Sequence, residues 1–265
     1  MWLQQFKRWR KQRFLRRKRI PEKLWQKVIN NALKHYRLNN GELLRLRELS
    51  SLFLDKKIFI GANDFQLDDY QRCVIAATAC MLILNLDFEY YDGWLEVIVY
   101  EGPFIVHREV TDAEGVVHEQ DAVLDGEAWA RGPVILSWDE AEPGKHCNRH
   151  AAGSNVILHE FAHKLDILNG AADGMPPLHS DMSRKSWIKI LTRVYEELEL
   201  NIEQHHKTHI DPYAAENPAE FFAVISELFF LLPERLQYYY PQMYQQLSLF
   251  YKQDPLKRLR LTSAR

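Results

Sequence analysis

The sequence feature that most constrains the fold is the pentapeptide from His159 to His163, which lies inside an apolar segment. It reads His-Glu-Phe-Ala-His and follows Val-Ile-Leu, which predicts a buried helix over about 155–168. Histidines four residues apart lie on one face of a helix, little more than one turn from each other. Two imidazoles in this arrangement can bind one Zn²⁺, with Glu160 beside the ion as a general base toward water.

Helices are predicted on both sides of a central stretch with strand character. Apolar residues at helical spacing fill the segments at about 21–36, 42–54 and 68–86 before it, and 155–168, 183–200, 218–232 and 233–251 after it. Between them, period-two and β-branched runs separated by Gly and Pro predict a small mixed sheet, to which a short strand over 57–60 adds. The order of helices, sheet and helices indicates an α+β fold.

Charge is distributed unevenly along the 265 residues. Lys and Arg total 34 against 36 Asp and Glu, yet nine of the basic residues lie within the first 20 positions, where no acid occurs. A basic helix that packs on an acidic body would explain this pattern, and contact with an anionic membrane surface or with nucleic acid is the alternative. We expect the first arrangement, without sequence-specific binding of nucleic acid.

No linker rich in Gly, Ser or Pro divides the chain after this basic arm. We therefore expect the arm over 1–20 and a single domain over 21–265. That domain would contain helices over 21–90, the mixed sheet over 91–140 and a metal-binding helical part over 150–251.

The sequence lacks the features of an exported or membrane-spanning protein. Charge continues through the N-terminal residues without an apolar stretch behind it, and the longest apolar run, 73–86, is too short for a bilayer span. Cys73 and Cys80, seven residues apart on one predicted helix, are too distant to bridge, which favours reduced thiols. We expect a cytoplasmic protein without a membrane span, and a monomer.

A catalytic zinc site needs a third protein ligand. Glu220 begins a predicted helix in Asn-Pro-Ala-Glu-Phe-Phe-Ala, where the aromatic residues that follow would shield its carboxylate. The same Glu also fits a helix-capping role under Asn217. Spacing alone therefore leaves Glu216 and Glu227 open as alternatives to Glu220.

Asp166 and Tyr213 lie near these segments, and spacing alone does not assign a role to either. The arrangement HExxHxxGxxH is excluded because Asp166 and Asn169 occupy its Gly and His positions. Asp166 lies about 10 Å along the helix from His159, too far to share an ion with it, so a supporting or helix-packing role fits better. An ordinary exposed Asp is the alternative. Tyr213, seven residues before Glu220, is a possible hydrogen-bond donor to an oxyanion, with half-buried packing as the alternative.

Two clusters of histidines and one strand are further candidate sites. The clusters over 146–150 and 205–209 lie in polar stretches, so we expect solvated loop histidines rather than a second metal site. The segment 131–138 is predicted to be either an edge strand, onto which an extended peptide could add, or a central strand.

Together these motifs resemble the Mlc titration factor A family of bacterial zinc metallopeptidases. The resemblance rests on HEFAHKLD at 159–166, on Tyr213 followed by NPAEFFA at 217–223, and on ARGPVILSW at 130–138, and it extends through the chain. The arrangement of Tyr213 and Glu220 is also similar to the metal centre of anthrax lethal factor, a gluzincin.

The resemblance implies a zincin-like fold in which His159, His163 and Glu220 hold Zn²⁺, Glu160 is the general base and Tyr213 lies near the metal. It further implies a cytoplasmic peptidase, aminopeptidase-like toward small peptide substrates. Such a protein would bind the transcriptional repressor Mlc and so regulate genes of the glucose phosphotransferase system. The alternative is a non-catalytic protein that sequesters the repressor, with a zinc site that serves structure or gating.

Overall fold

The computed structural model describes residues 18–111, 117–124, 126–128, 132–145 and 153–263, with the backbone alone at 104–128 and 262–263. The basic arm lies outside the described residues except for its last three positions. The histidine cluster over 146–150 also lies outside them. No helix among the described residues combines the length and apolar character needed to cross a bilayer.

Three helices form the N-terminal group: α1 (Glu22–Val28), α2 (Asn40–Lys56) and α3 (Asp69–Leu82). Helical geometry continues from α1 to Tyr36 through a π-helical and a 3₁₀ turn, and Arg37 ends it in the left-handed conformation. α2 and α3 each begin with a capping box, at Asn39 and Asp68, which satisfies backbone N–H groups of the first turn. The helices predicted in this part of the chain are confirmed.

The strands are β1 (Ile58–Gly61), β2 (Glu96–Tyr100), β3 (Phe104–Thr111), β4 (Val117–Leu124), β5 (Gly126–Ala128) and β6 (Val134–Ser137). Four of them form a sheet in the order β1-β2-β6-β5, in which β1, β2 and β6 are parallel and β5 pairs antiparallel with β6. β3 and β4 form a separate antiparallel pair. The predicted small mixed sheet is present, and its first strand comes from between two helices of the N-terminal group.

Strand β6 lies inside this sheet rather than at its edge. Ile135 pairs with Ile98 of β2 on one side and with Glu127 of β5 on the other. The interpretation of this segment as an edge strand for peptide addition is therefore wrong for residues 134–136, because these residues have partners on both sides of the strand.

Helices follow the sheet through the rest of the described chain: α4 (Trp138–Ala141), α5 (Val156–Asp166), α6 (Arg184–Glu203), α7 (Pro218–Leu231), α8 (Pro233–Tyr239), α9 (Pro241–Tyr251) and α10 (Pro255–Ser263). The single helix predicted over 233–251 is two helices. Pro241 has no backbone N–H to continue the hydrogen bonding of α8, so a new helix begins there.

Helix α5 lies at the centre of the core. Its Phe161 ring packs against Phe53, Tyr91 and Trp94, with ring centroids 5.6, 5.4 and 5.7 Å away. The buried ammonium of Lys164, on the same helix, donates a 2.8 Å hydrogen bond to the Gly132 carbonyl just before β6. α5 also packs against α3 and α7, so it is held on several sides.

The two described cysteines are free thiols inside α3. Cys73 and Cys80 are both buried, and no disulfide joins them. Burial disfavours the thiolate and raises the pKa of each, that of Cys73 to about 12. Thiols in this state are poor nucleophiles, in agreement with the expected reduced and inert pair.

Candidate metal centre

Helix α5 presents the two imidazoles of the HExxH pentapeptide side by side. The Asn155 side chain caps the helix by accepting the Leu158 N–H at 3.0 Å. One helical face is buried in the core, and His159 and His163 project from another. Their ring centroids lie 4.8 Å apart and their Nε2 atoms 3.2 Å apart. The spacing thus brings two ring nitrogens to one point, as expected for residues i and i+4.

Helix α7 brings the carboxylate of Glu220 to the same point. Asn217 caps this helix and accepts the N–H groups of Ala219 and Glu220 at 3.0 Å. The carboxylate of Glu220 lies between the two histidines, with Oε2 2.9 Å from Nε2 of His159 and 3.4 Å from Nε2 of His163. Asn217 therefore carries the capping role, while Glu220 faces the imidazoles.

Glu227 lies on the other side of the His159 ring. Its Oε1 is 2.8 Å from Nδ1 of His159, the nitrogen that faces away from Glu220. Its Oε2 accepts the backbone N–H of Asn155. Glu227 is therefore not part of the convergent group that His159, His163 and Glu220 form, although it was one of the candidates for third ligand.

A loop after α5 holds the two helices together. Asp166, fully buried at the end of α5, accepts the Gly174 N–H at 2.9 Å. Gly174 has a φ of +76°, and a Cβ there would lie 2.6 Å from the carbonyl oxygen of Pro218 at the start of α7. Only a glycine fits this close approach. Asp166 thus supports the packing of the helices, and it lies outside the group of convergent ligand atoms.

The charges of the cluster shift the pKa values of its members. Burial opposes a charged imidazole, but hydrogen bonds with Glu220 and Glu227 outweigh burial and raise the pKa of His159 well above its ordinary value. Burial likewise opposes the charged carboxylate, but hydrogen bonds with both histidines lower the pKa of Glu220. The pocket therefore stabilises a positive charge between these side chains.

The donor atoms fit a divalent metal ion. One ligand atom from each of His159, His163 and Glu220 lies within 4.8 Å of the other two, the one such group found among the described residues. Two imidazole nitrogens and one carboxylate oxygen form the donor set typical of catalytic zinc sites, which keep a further position open. The side chains of His159, His163 and Glu220 therefore fit a divalent metal ion such as zinc.

Glu160 and Tyr213 lie near the cluster but differ in exposure. Glu160 is 4% exposed. The Tyr213 ring is 49% exposed and its centroid lies 6.1 Å from that of His159. Burial and the carboxylates of Glu220, Glu216 and Glu160 all raise the pKa of the Tyr213 phenol. The phenol therefore keeps its proton at neutral pH.

The histidines over 205–209 do not join this cluster. His205 and His206 are exposed in the turn after α6. The His209 ring stacks on Tyr239 with ring centroids 3.4 Å apart. Their arrangement agrees with the expected loop histidines.

Sequence reasoning did not assign the contact between Glu227 and His159. Glu227 follows Glu220 by seven residues, close to two helical turns, so both project from one face of α7. That periodicity is the signal that could have placed both carboxylates beside one imidazole.

The chain is similar to proteins of one family over most of its length. Residues 6–252 match the glucose-regulated metallo-peptidase M90 family. Mlc titration factor A from Escherichia coli is 38% identical over 243 residues, which cover 90% of this chain and 89% of the relative. The protein of the same name from Shigella boydii is 38% identical over 239 residues, covering 89% and 88%. An uncharacterized Synechocystis protein, slr2042, is 40% identical over 251 residues, covering 94% and 90%. The matched residues include both α5 and α7.

Proposed function

Because the chain belongs to the glucose-regulated metallo-peptidase M90 family, we propose that it is a zinc-dependent peptidase. His159, His163 and Glu220 hold the zinc ion, Glu160 is the general base and Tyr213 donates to the oxyanion. The observation that carries the proposal is the convergence of three ligand atoms from two helices within 4.8 Å. When bound there, zinc supplies Lewis acidity that polarises a peptide carbonyl and makes water easier to deprotonate.

The side chains around the site perform the proton transfers. A carboxylate oxygen of Glu160 accepts a proton from the attacking water and passes it to the nitrogen of the leaving amine. Glu160 is shielded from bulk solvent, which strengthens its interactions with charged groups nearby. The Tyr213 hydroxyl, protonated at neutral pH, donates a hydrogen bond to the oxygen of the carbonyl under attack.

The fold in this proposal is zincin-like, with one peptidase domain over 21–265 after the basic arm over 1–20. The order of the elements supports it, because the mixed sheet precedes the helix with the two histidines and Glu220 follows on a later helix. In that arrangement the sheet and the N-terminal helices form the scaffold, and α5 and α7 carry the site.

The biological role that we propose follows from the named relatives. The protein is a cytoplasmic monomer with aminopeptidase-like activity on small peptides. It binds the repressor Mlc and thereby regulates genes of the glucose phosphotransferase system, without sequence-specific contact to nucleic acid. The support is the 38% identity to Mlc titration factor A over 90% of the chain.

A second candidate is a non-catalytic protein that sequesters the repressor, with zinc serving structure or gating. The burial of Glu160, which is 4% exposed, is also compatible with this candidate, in which the side chain packs in the core of the site and transfers no proton. The two candidates differ in whether zinc-dependent cleavage exists at all.

The variant Glu160→Gln tests this difference, since glutamine keeps the size of the side chain but cannot accept the proton. We expect kcat for peptide hydrolysis to fall by about 10²- to 10⁴-fold. Zinc content and Mlc binding should stay at wild-type levels, as measured by metal analysis and calorimetry. Wild-type protein that binds zinc and Mlc but cleaves no peptide would favour the sequestering protein instead.

A further inference from the structure

Glu227 is a buried acid in a strongly apolar part of helix α7. Its side chain is 4% exposed, and its helical neighbours are apolar residues such as Ile225 and Leu228, which are also buried. The segment around Tyr36 packs against the same helix. A carboxylate in such surroundings is costly unless hydrogen bonds satisfy both of its oxygens.

Both oxygens of Glu227 have partners on helix α5. Oε2 accepts the backbone N–H of Asn155, the residue that caps the helix. A negative charge is favourable there, because the N-terminal end of a helix carries a partial positive charge. Helix capping occupies only this oxygen. Oε1 faces Nδ1 of His159 at 2.8 Å, and helix capping does not explain this second contact.

The second contact determines which ring nitrogen of His159 has a free lone pair. An ionised carboxylate can only accept hydrogen bonds, so a hydrogen must sit on Nδ1 for the contact to form. A metal ion binds only a neutral imidazole, which has one N–H and one lone pair, so in the metal-binding form the lone pair belongs to Nε2. Nε2 is the atom that lies 2.9 Å from Glu220 and 3.2 Å from the His163 ring nitrogen.

We propose that Glu227 is a positioning residue: it holds the hydrogen on Nδ1 of His159 and fixes the ring so that the Nε2 lone pair points at the metal position. This inference rests on the proposed zinc site and adds to it a residue outside the three ligands. Carboxylates that orient ligating histidines in this way raise metal affinity, and their loss weakens it by about 10- to 100-fold.

The test is the zinc affinity of full-length Glu227→Gln, measured by competition with a zinc chelator at one pH. The amide keeps the size of the side chain but can accept only one of the two hydrogen bonds, because its NH₂ group then opposes an N–H. We expect the zinc dissociation constant to rise by about 10- to 100-fold. Circular dichroism should show the wild-type helix content.

Asn155→Ala is the matched control, because it weakens the capping of α5 without removing the contact between Glu227 and His159. It removes the side-chain cap on the Leu158 N–H but leaves the backbone N–H to Glu227 and the contact of Glu227 with His159. We expect it to lower the melting temperature while the zinc dissociation constant stays within about threefold of wild type. A loss of affinity in Asn155→Ala as large as that in Glu227→Gln would overturn the inference, since helix capping would then explain both.

Two further results keep the inference separate from the zinc site itself. If Glu227→Gln binds zinc as tightly as wild type while Glu220→Gln binds it more weakly, only the role of Glu227 is overturned. If Glu220→Gln binds zinc as tightly as wild type, the zinc site is overturned, and this inference with it. If Glu227→Gln does not fold, the role of Glu227 can be tested on the wild-type protein by NMR. In ¹⁵N-histidine-labelled, zinc-loaded protein, NMR should show the His159 proton on Nδ1, and a ring without it overturns the inference.

Discussion

Tyr213 lies beside the cluster and is half exposed to solvent, and its ring lies 6.1 Å from the His159 ring. Burial of the rest of the ring and the nearby carboxylates raise the pKa of the phenol, so the hydroxyl stays protonated. Such a group can donate a hydrogen bond to the oxyanion that forms during peptide hydrolysis.

The variant Tyr213→Phe should therefore lower kcat by about 10²-fold while the zinc content stays at the wild-type level. The ring is kept, so its packing is unchanged and only the hydroxyl is lost. Steady-state kinetics and metal analysis measure the two effects. Tyr239→Phe, another partly exposed tyrosine that stacks on His209, is the control and should keep wild-type kcat. Equal activity in both variants would remove Tyr213 from the mechanism.

Asp166 gives the stability a pH dependence. Burial is the main cause that raises its pKa from 3.8 to about 7 in the folded chain. The folded state therefore keeps a proton that the unfolded state loses above about 3.8, and the resulting stability is lost as the pH rises through about 7.

The variant Asp166→Asn, which cannot ionise, should gain stability relative to wild type as the pH rises. Between pH 4 and pH 8 we expect the difference in the free energy of unfolding to move by about 4 kcal/mol in favour of the variant. Urea denaturation at several pH values, with a chelator present in every sample, measures it. A difference that stays constant across this range would show that Asp166 keeps an ordinary pKa in the folded protein.

Among the elements, the contact between α5 and α7 is decisive because the proposed ligands are divided between them. The loop over 170–175 joins them through Gly174, whose N–H binds Asp166 and whose Cα lies against Pro218. The carbonyl of Gly174 also accepts the Trp187 indole N–H at 3.1 Å, which adds α6 to the contact.

Gly174→Ala should destabilise the protein, because a Cβ is strained at φ +76° and meets the Pro218 carbonyl oxygen. Gly170→Ala is the matched control, since Gly170 has φ +100° but no atom within 4 Å of an added Cβ. We expect Gly174→Ala to lose about 1–3 kcal/mol more than the control in urea denaturation. Equal losses would mean that the close approach to α7 contributes nothing beyond backbone strain.

At the scale of the whole molecule, the features that depend on nearby residues could be predicted from the sequence, whereas those that depend on long-range contacts could not. The HExxH spacing and the helical spacing of apolar residues are local, and the helices that they predict are present. The family resemblance drawn from the motifs is also confirmed. The interior position of β6 could not be predicted, because its pairing with β2 and β5 depends on segments distant in the chain.

The candidate site shows the same limit. Helical spacing placed His159 and His163 together, but spacing alone left the third ligand open among three carboxylates. The choice depends on how α7 is rotated against α5, which places Glu220 at Nε2 and Glu227 at Nδ1 of the same ring. Side-chain packing across the whole interface determines that rotation, and no single motif encodes it.

The central claim is that the side chains of His159, His163 and Glu220 hold one zinc ion, and metal analysis of the purified wild type beside Glu220→Ala tests it most directly. The account predicts about one zinc ion per wild-type chain and a content well below that in the variant, with the fold checked by circular dichroism. A stoichiometric zinc content that survives the loss of Glu220 would contradict it and assign the third ligand to another residue.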